Sequence, residues 1–82
     1  MEVSLNAEAW NDVEAGVEAL VDQWLVAQGD TVRAGQLLAK VVLVKANLDI
    51  VAPAGGRIDK IVVPAGETFA RGKPIALLKE AP

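Results

Sequence analysis

Short apolar runs separated by glycine turns make up most of this chain. From Asn47 to Ala52 the alternation is strict, with Leu48, Ile50 and Ala52 on one face and Asn47, Asp49 and Val51 on the other. A period of two marks a half-buried β-strand. Just ahead of it, Val41-Val42-Leu43-Val44 is apolar throughout. The two stretches predict a hairpin with a tight turn inside Val44–Asn47, ended by Pro53 and Gly55-Gly56. Lys45 then stands at the hairpin tip, a lone cation between apolar strands.

On either side of this hairpin the same pattern occurs twice. Residues 21–40, VDQWLVAQGDTVRAGQLLAK, align with residues 58–77, IDKIVVPAGETFARGKPIAL, at an offset of 37. Six of the twenty positions are identical, among them the aligned glycines Gly29/Gly66 and Gly35/Gly72. Each copy predicts an apolar β run (Trp24-Leu25-Val26; Ile61-Val62-Val63) and then a turn of glycine and acid (Gly29-Asp30; Gly66-Glu67). A short extended piece follows (Thr31-Val32; Thr68-Phe69), then a second glycine turn, then a further apolar strand (Leu37 to Val44; Ile75 to Leu78). Pro74 suits a strand start or an edge. Turn signals at this spacing indicate an all-β sandwich or barrel. The duplication suggests pseudo-two-fold symmetry, each half giving strands to both sheets. On that plan the hairpin lies near the axis, at the end of the molecule opposite the termini.

Composition narrows the functional classes. With 82 residues, 52% of them hydrophobic, the chain has material for one small domain spanning 1–82. Residues 6–16 form a long N-terminal connection. The net charge is −3 and the basic residues are scattered, which argues against a nucleic-acid partner. No apolar stretch approaches the ~20 residues of a membrane span. The first ten residues carry acid where a secretory signal carries base, so a cytoplasmic location is expected. There is no Cys and no His, so thiolate chemistry and the commonest general base and metal ligand are absent. Asp30 and Glu67 are explained by turn chemistry rather than by a metal site, which would need convergent partners. No helix follows the glycines to make a phosphate cradle. An active site within the chain is not expected.

WLVAQGDTVRAGQLLAKV and KANLDIVAPAGGRIDKIVVPAGETFARGKPIALL, with DVEAG ahead of the first of them, resemble the biotinyl/lipoyl carrier domains from about Asp12 to Lys79. The resemblance implies a flattened barrel of two four-stranded antiparallel sheets, a barrel-sandwich hybrid. It also implies that Lys45 carries a prosthetic group through an amide bond, flanked by Val42, Val44 and Ala46 as recognition positions. Biotin carriers usually place Met on both sides of the lysine, whereas Lys45-Ala46 is similar to the lipoyl pattern. Lipoate is therefore the expected group, and biotin the alternative. The lipoyl resemblance implies a lipoate ligase or lipoyl transferase as the modifying enzyme. It implies 2-oxo acid dehydrogenase, acyltransferase and dihydrolipoamide dehydrogenase components as the enzymes served. A third possibility is an unmodified adaptor of the same fold. Residues 80–82, Glu-Ala-Pro, fit either the start of an Ala/Pro-rich linker or an end of the chain.

The chain departs from the lipoyl pattern just before the lysine. Lipoyl domains typically have Glu-Thr-Asp there, and this sequence has Val42-Leu43-Val44. If Val41 and Leu43 face the core, Val42 and Val44 face outward. Two outcomes are open. The valines form an apolar docking patch, or Trp10 or Val13 from the 6–16 connection covers them. Trp24 is expected in the core.

Overall fold

A computed structural model describes residues 1–80; the proposed linker residues Ala81 and Pro82 lie outside the described residues. Eight strands are present: β1 (Glu2–Val3), β2 (Ala19–Trp24), β3 (Thr31–Val32), β4 (Leu37–Leu43), β5 (Ala46–Val51), β6 (Gly56–Ile61), β7 (Thr68–Phe69) and β8 (Ala76–Glu80). They form two four-stranded sheets, ordered β1-β8-β6-β3 and β5-β4-β2-β7, with every pairing antiparallel. The expected all-β barrel-sandwich is therefore the architecture found. One 3-10 turn, Ala7–Trp10, interrupts the N-terminal connection, capped by Asn6, whose side chain accepts from the Glu8 N–H.

The repeat in the sequence is a repeat in the hydrogen bonding. In each sheet order, β1, β8, β6 and β3 stand where β5, β4, β2 and β7 stand in the other. Each half of the chain supplies strands to both sheets. The Gly29 N–H donates to the Ile58 carbonyl at 2.7 Å, and the Gly66 N–H donates to the Val21 carbonyl at 2.7 Å. In return the Ile58 N–H reaches the Asp30 carbonyl and the Val21 N–H reaches the Glu67 carbonyl, both at 2.9 Å. These four bonds extend the β3–β6 and β2–β7 ladders by one pair each, and because each ladder joins a strand of one half to a strand of the other, they lock one half onto the other. They require the turn glycines at φ +95° and +90°, a region that costs an ordinary L-residue about 1–2 kcal/mol. The bulges repeat too, at Val21/Gln23 in β2 and Ile58/Lys60 in β6.

The core is aliphatic and continuous between the two sheets. Val21, Leu38, Val41, Ile58, Ile75 and Leu78 are buried at its centre. Trp10 and Phe69 meet edge-to-face with ring centroids 6.1 Å apart, closing the core beneath the N-terminal connection.

Three expectations need adjustment. The strands lie earlier than the Trp24-Leu25-Val26 and Ile61-Val62-Val63 runs, ending at Trp24 and Ile61. Leu25 and Val62 sit beyond those ends at 42% and 43% exposure. The apolar run was a poor guide because the strand proper, Ala19–Trp24, mixes polar residues on its outer face with Ala19 and Val21 inside. Gly56 does not end the hairpin but opens β6, where β8 passes so close that any Cβ would collide with the Lys79 carbonyl. Trp24 is half-buried rather than fully enclosed, and its Nε1–H donates to the Val63 carbonyl at 2.8 Å.

Candidate functional site

The hairpin turn is the shortest that antiparallel strands allow. Leu43 pairs with Ala46, so Val44 and Lys45 alone make the reversal. Such turns need positive φ at their first central residue to match the twist of the strands. That residue is Val44, at φ +60°. A β-branched side chain at positive φ is an outlier, costing about 1–3 kcal/mol, and such strain tends to collect at functional positions. Lys45, next in line, projects at the apex and is exposed.

The strands beneath the tip make a stiff base. β4 pairs with β5 on one side and with β2 on the other, and its inward residues Leu38, Val41 and Leu43 are all buried. Beyond Leu43 the chain leaves the core abruptly, with Val44 65% exposed and Ala46 and Asn47 also exposed. The lysine is thus carried on a rigid post rather than on a loose loop.

The outward direction expected for Val42 and Val44 is the one observed. Val42 is half-buried, paired across the strands with Leu20 and Asn47. Trp10 does not cover Val44. Its ring turns inward to Phe69, and the Arg71 guanidinium lies 5.7 Å from its centroid. The N-terminal connection instead runs alongside the tip and leaves a shallow groove of about 540 Å³. Ala9, Asp12 and Val13 form one wall, Leu43, Val44 and Leu48 the other, and Lys45 stands on the rim.

Arg71 fixes the far wall. It donates to the Val13 carbonyl at 2.7 Å and to the Trp10 carbonyl at 3.3 Å, while stacking on the Trp10 ring. Sequence reasoning did not single out Arg71. Its partners lie 58 and 61 residues away, a separation at which no local pattern gives a signal. The positive φ of Asp12, +64°, also went unnoticed, although aspartate adopts that conformation more readily than most residues. Among the described residues no cluster of acids could hold a metal ion, and no helix is long and apolar enough to cross a membrane.

Comparison with known proteins assigns the class. Residues 11–78 match the family model described as biotin-requiring enzyme, which covers both biotinyl and lipoyl attachment domains. The chain belongs to the biotinyl/lipoyl carrier domain family. Among curated proteins it is 42% identical over 65 residues to the dihydrolipoyllysine-residue acetyltransferase component of the pyruvate dehydrogenase complex of Zymomonas mobilis. It is 34% identical over 67 residues to the dihydrolipoyllysine-residue succinyltransferase component of the 2-oxoglutarate dehydrogenase complex of Rickettsia conorii. These matches cover 78% and 82% of this chain but only 15% and 17% of the relatives' lengths. In fold it is similar to the lipoyl domain of the 2-oxoglutarate dehydrogenase complex from Azotobacter vinelandii, with a TM-score of 0.76. That match has 24% identity and covers 98% of this chain and 99% of that one. A single-chain, multi-domain long-chain acyl-CoA carboxylase shares the fold at a TM-score of 0.72 and 20% identity, over 83% of this chain and 7% of that one.

Proposed function

We propose that this domain carries a lipoyl group on Lys45 and serves an acyl-transferring 2-oxo acid dehydrogenase complex. The observation that carries the reading is the place of Lys45, exposed at the apex of a two-residue turn with Ala46 after it and no methionine on either side. The relatives named above are dihydrolipoyllysine-residue acyltransferases, which supports lipoate over biotin.

The residues present fit such a group. An amide at Lys45 needs an unencumbered amine, and the turn holds that side chain clear of the sheet. When bound, a lipoyl group supplies a redox-active dithiolane able to carry acyl groups between active sites. The domain's own contribution is mechanical. β4 and β5 hold the attachment point at a fixed place, and the four bonds at the Gly29 and Gly66 turns tie the two halves of the frame together beneath it. Tethering raises the local concentration of the cargo at each partner, so brief and weak docking of the domain suffices. The chain has no cysteine that could exchange with a dithiol. The partners under this reading are a lipoate ligase or lipoyl transferase, then the dehydrogenase, acyltransferase and dihydrolipoamide dehydrogenase components.

Coexpression with a lipoate ligase or with a biotin ligase, followed by intact-mass measurement, tests this reading. The expected result is a single lipoyl increment that is lost in Lys45→Arg. A biotin increment with streptavidin capture would replace lipoate by biotin. No increment with either ligase would leave an unmodified adaptor.

A further inference from the structure

We propose that the groove beside Lys45 is a resting site for the apolar part of the acyl group attached to that lysine. The inference rests on the carrier reading and adds to it a second, docked state of the arm. Three observations support it. The attachment residue is itself on the groove rim, so the cargo begins at the site rather than having to find it. The lining is chiefly aliphatic, from Ala9, Val13, Leu43, Val44 and Leu48, with Asn11 and Asp12 the polar residues of the wall. A neutral hydrocarbon arm matches that lining better than a charged ligand would. The groove is shallow and open, and its volume of about 540 Å³ has room for a short aliphatic chain lying along it.

Val44 gives the groove its character. It occupies a backbone conformation that disfavours valine, and it is 65% exposed. Neither burial nor turn chemistry explains a valine at this position. Apolar surface facing the arm does. The opposite wall is held in place by the Arg71 contacts to Trp10 and Val13, so the groove is formed before any cargo arrives.

The magnitudes allow docking without arresting the arm. A short flexible tether gives an effective concentration on the order of millimolar. A shallow apolar contact with an intrinsic Kd of about 1 mM would then leave the arm roughly half docked and half free. The docked half shields the cargo, and the free half remains available to partner enzymes.

The test uses a single-cysteine route that needs no ligase. Because the chain has no cysteine, Lys45→Cys supplies one thiol, which N-octyl iodoacetamide alkylates by displacing iodide to form a thioether. Backbone amide NMR spectra are compared for this adduct, for the same variant capped with iodoacetamide, and for the ligase-modified wild-type chain. Docking is expected to shift the amides of Ala9, Asp12, Val13 and Leu48 in the octyl and lipoyl forms but not in the capped form. Val44→Gly and Val13→Asp, each introduced separately, are expected to reduce those shifts at least twofold. Shifts confined to residues 43–47 in the octyl adduct would overturn the proposal even if lipoylation proceeds normally. Conversely, docking of the octyl arm in a chain that no ligase modifies would overturn the carrier reading and keep the groove as an acyl-binding site.

Discussion

The two ends of the pseudo-two-fold frame differ in one respect. In one sheet β4 and β5 are joined by Val44-Lys45; in the other their counterparts β8 and β1 pair without a connecting turn. There the N-terminal ammonium donates to the Leu78 carbonyl at 3.0 Å, tying β1 to β8 where the first sheet has a covalent turn. Between them the symmetry holds for the β2 and β6 bulges and for the paired bonds of the Gly29 and Gly66 turns. A duplicated scaffold therefore supplies rigidity twice but a tip only once. The functional candidate sits where the symmetry is broken, which is why one lysine among several scattered bases stands out.

The largest expected effect compares two equivalent strand starts. Ala19 and Gly56 occupy matching positions in β2 and β6 and both are buried. A methyl group fits at 19, whereas at 56 it would strike the Lys79 carbonyl. Backbone cannot step aside as a flexible side chain can. Gly56→Ala should cost about 3 kcal/mol, the upper part of the overpacking range, while Ala19→Gly should cost about 1 kcal/mol through lost packing and chain entropy. Urea midpoints for the two variants measure the asymmetry. Equal losses would mean that the second half is no tighter than the first.

Next comes a test of the symmetry itself. Gly29→Ala and Gly66→Ala place the same methyl at φ +95° and +90°, with open space around each. Each should cost about 1–2 kcal/mol from backbone strain alone, and the two costs should agree within about 0.5 kcal/mol. Divergence in thermal unfolding would show that the two turns are unequal locks between the halves despite their matching geometry.

How much of this was legible in the sequence follows from the same contrast. The frame was readable because a repeat prints its glycines and acids twice, and the second copy confirms the first. β3 and β7 fell where Thr31-Val32 and Thr68-Phe69 predicted them. The hairpin was readable from strict alternation, and its turn lay within the expected interval. β1 was not foreseen, because two residues give no period and its partner β8 is more than 70 residues distant. The strand ends at Trp24 and Ile61 were misjudged because continuous apolar character was taken for strand, although bends expose part of it. The place of Lys45 at the hairpin tip was readable from the pattern, but the groove beside it was not. Its walls come from 9–13 and 43–48, the first of them held by an arginine at 71, and only the folded chain brings these together.

Arg71 gives a smaller effect that sharpens the contrast between the two sides of the groove. Arg71→Met keeps an apolar stem over Trp10 but removes both donors to the loop carbonyls. Since the guanidinium is largely exposed, the cost to global stability should be about 1 kcal/mol or less. Amide hydrogen exchange should accelerate over residues 10–13 and stay unchanged in β4 and β5. Uniform acceleration across both regions would deny Arg71 a local role.

The last prediction concerns the tip alone. Gly29 and Gly66 show how this fold meets a need for positive φ, and Val44 departs from that practice. Val44→Gly should relieve about 1–2 kcal/mol of backbone strain and lose about 0.5–1 kcal/mol to the greater freedom of the unfolded chain. The exposed valine gives up little burial. The net gain should be about 0.5–1 kcal/mol, raising Tm by about 2–8 °C in a domain of this size. A substitution that stabilises the fold while releasing the arm from the groove would show that valine is held at this turn for its apolar surface and not for the turn. A fall in Tm would mean that the valine stabilises the hairpin after all, and the case for strain in service of function would be lost with it.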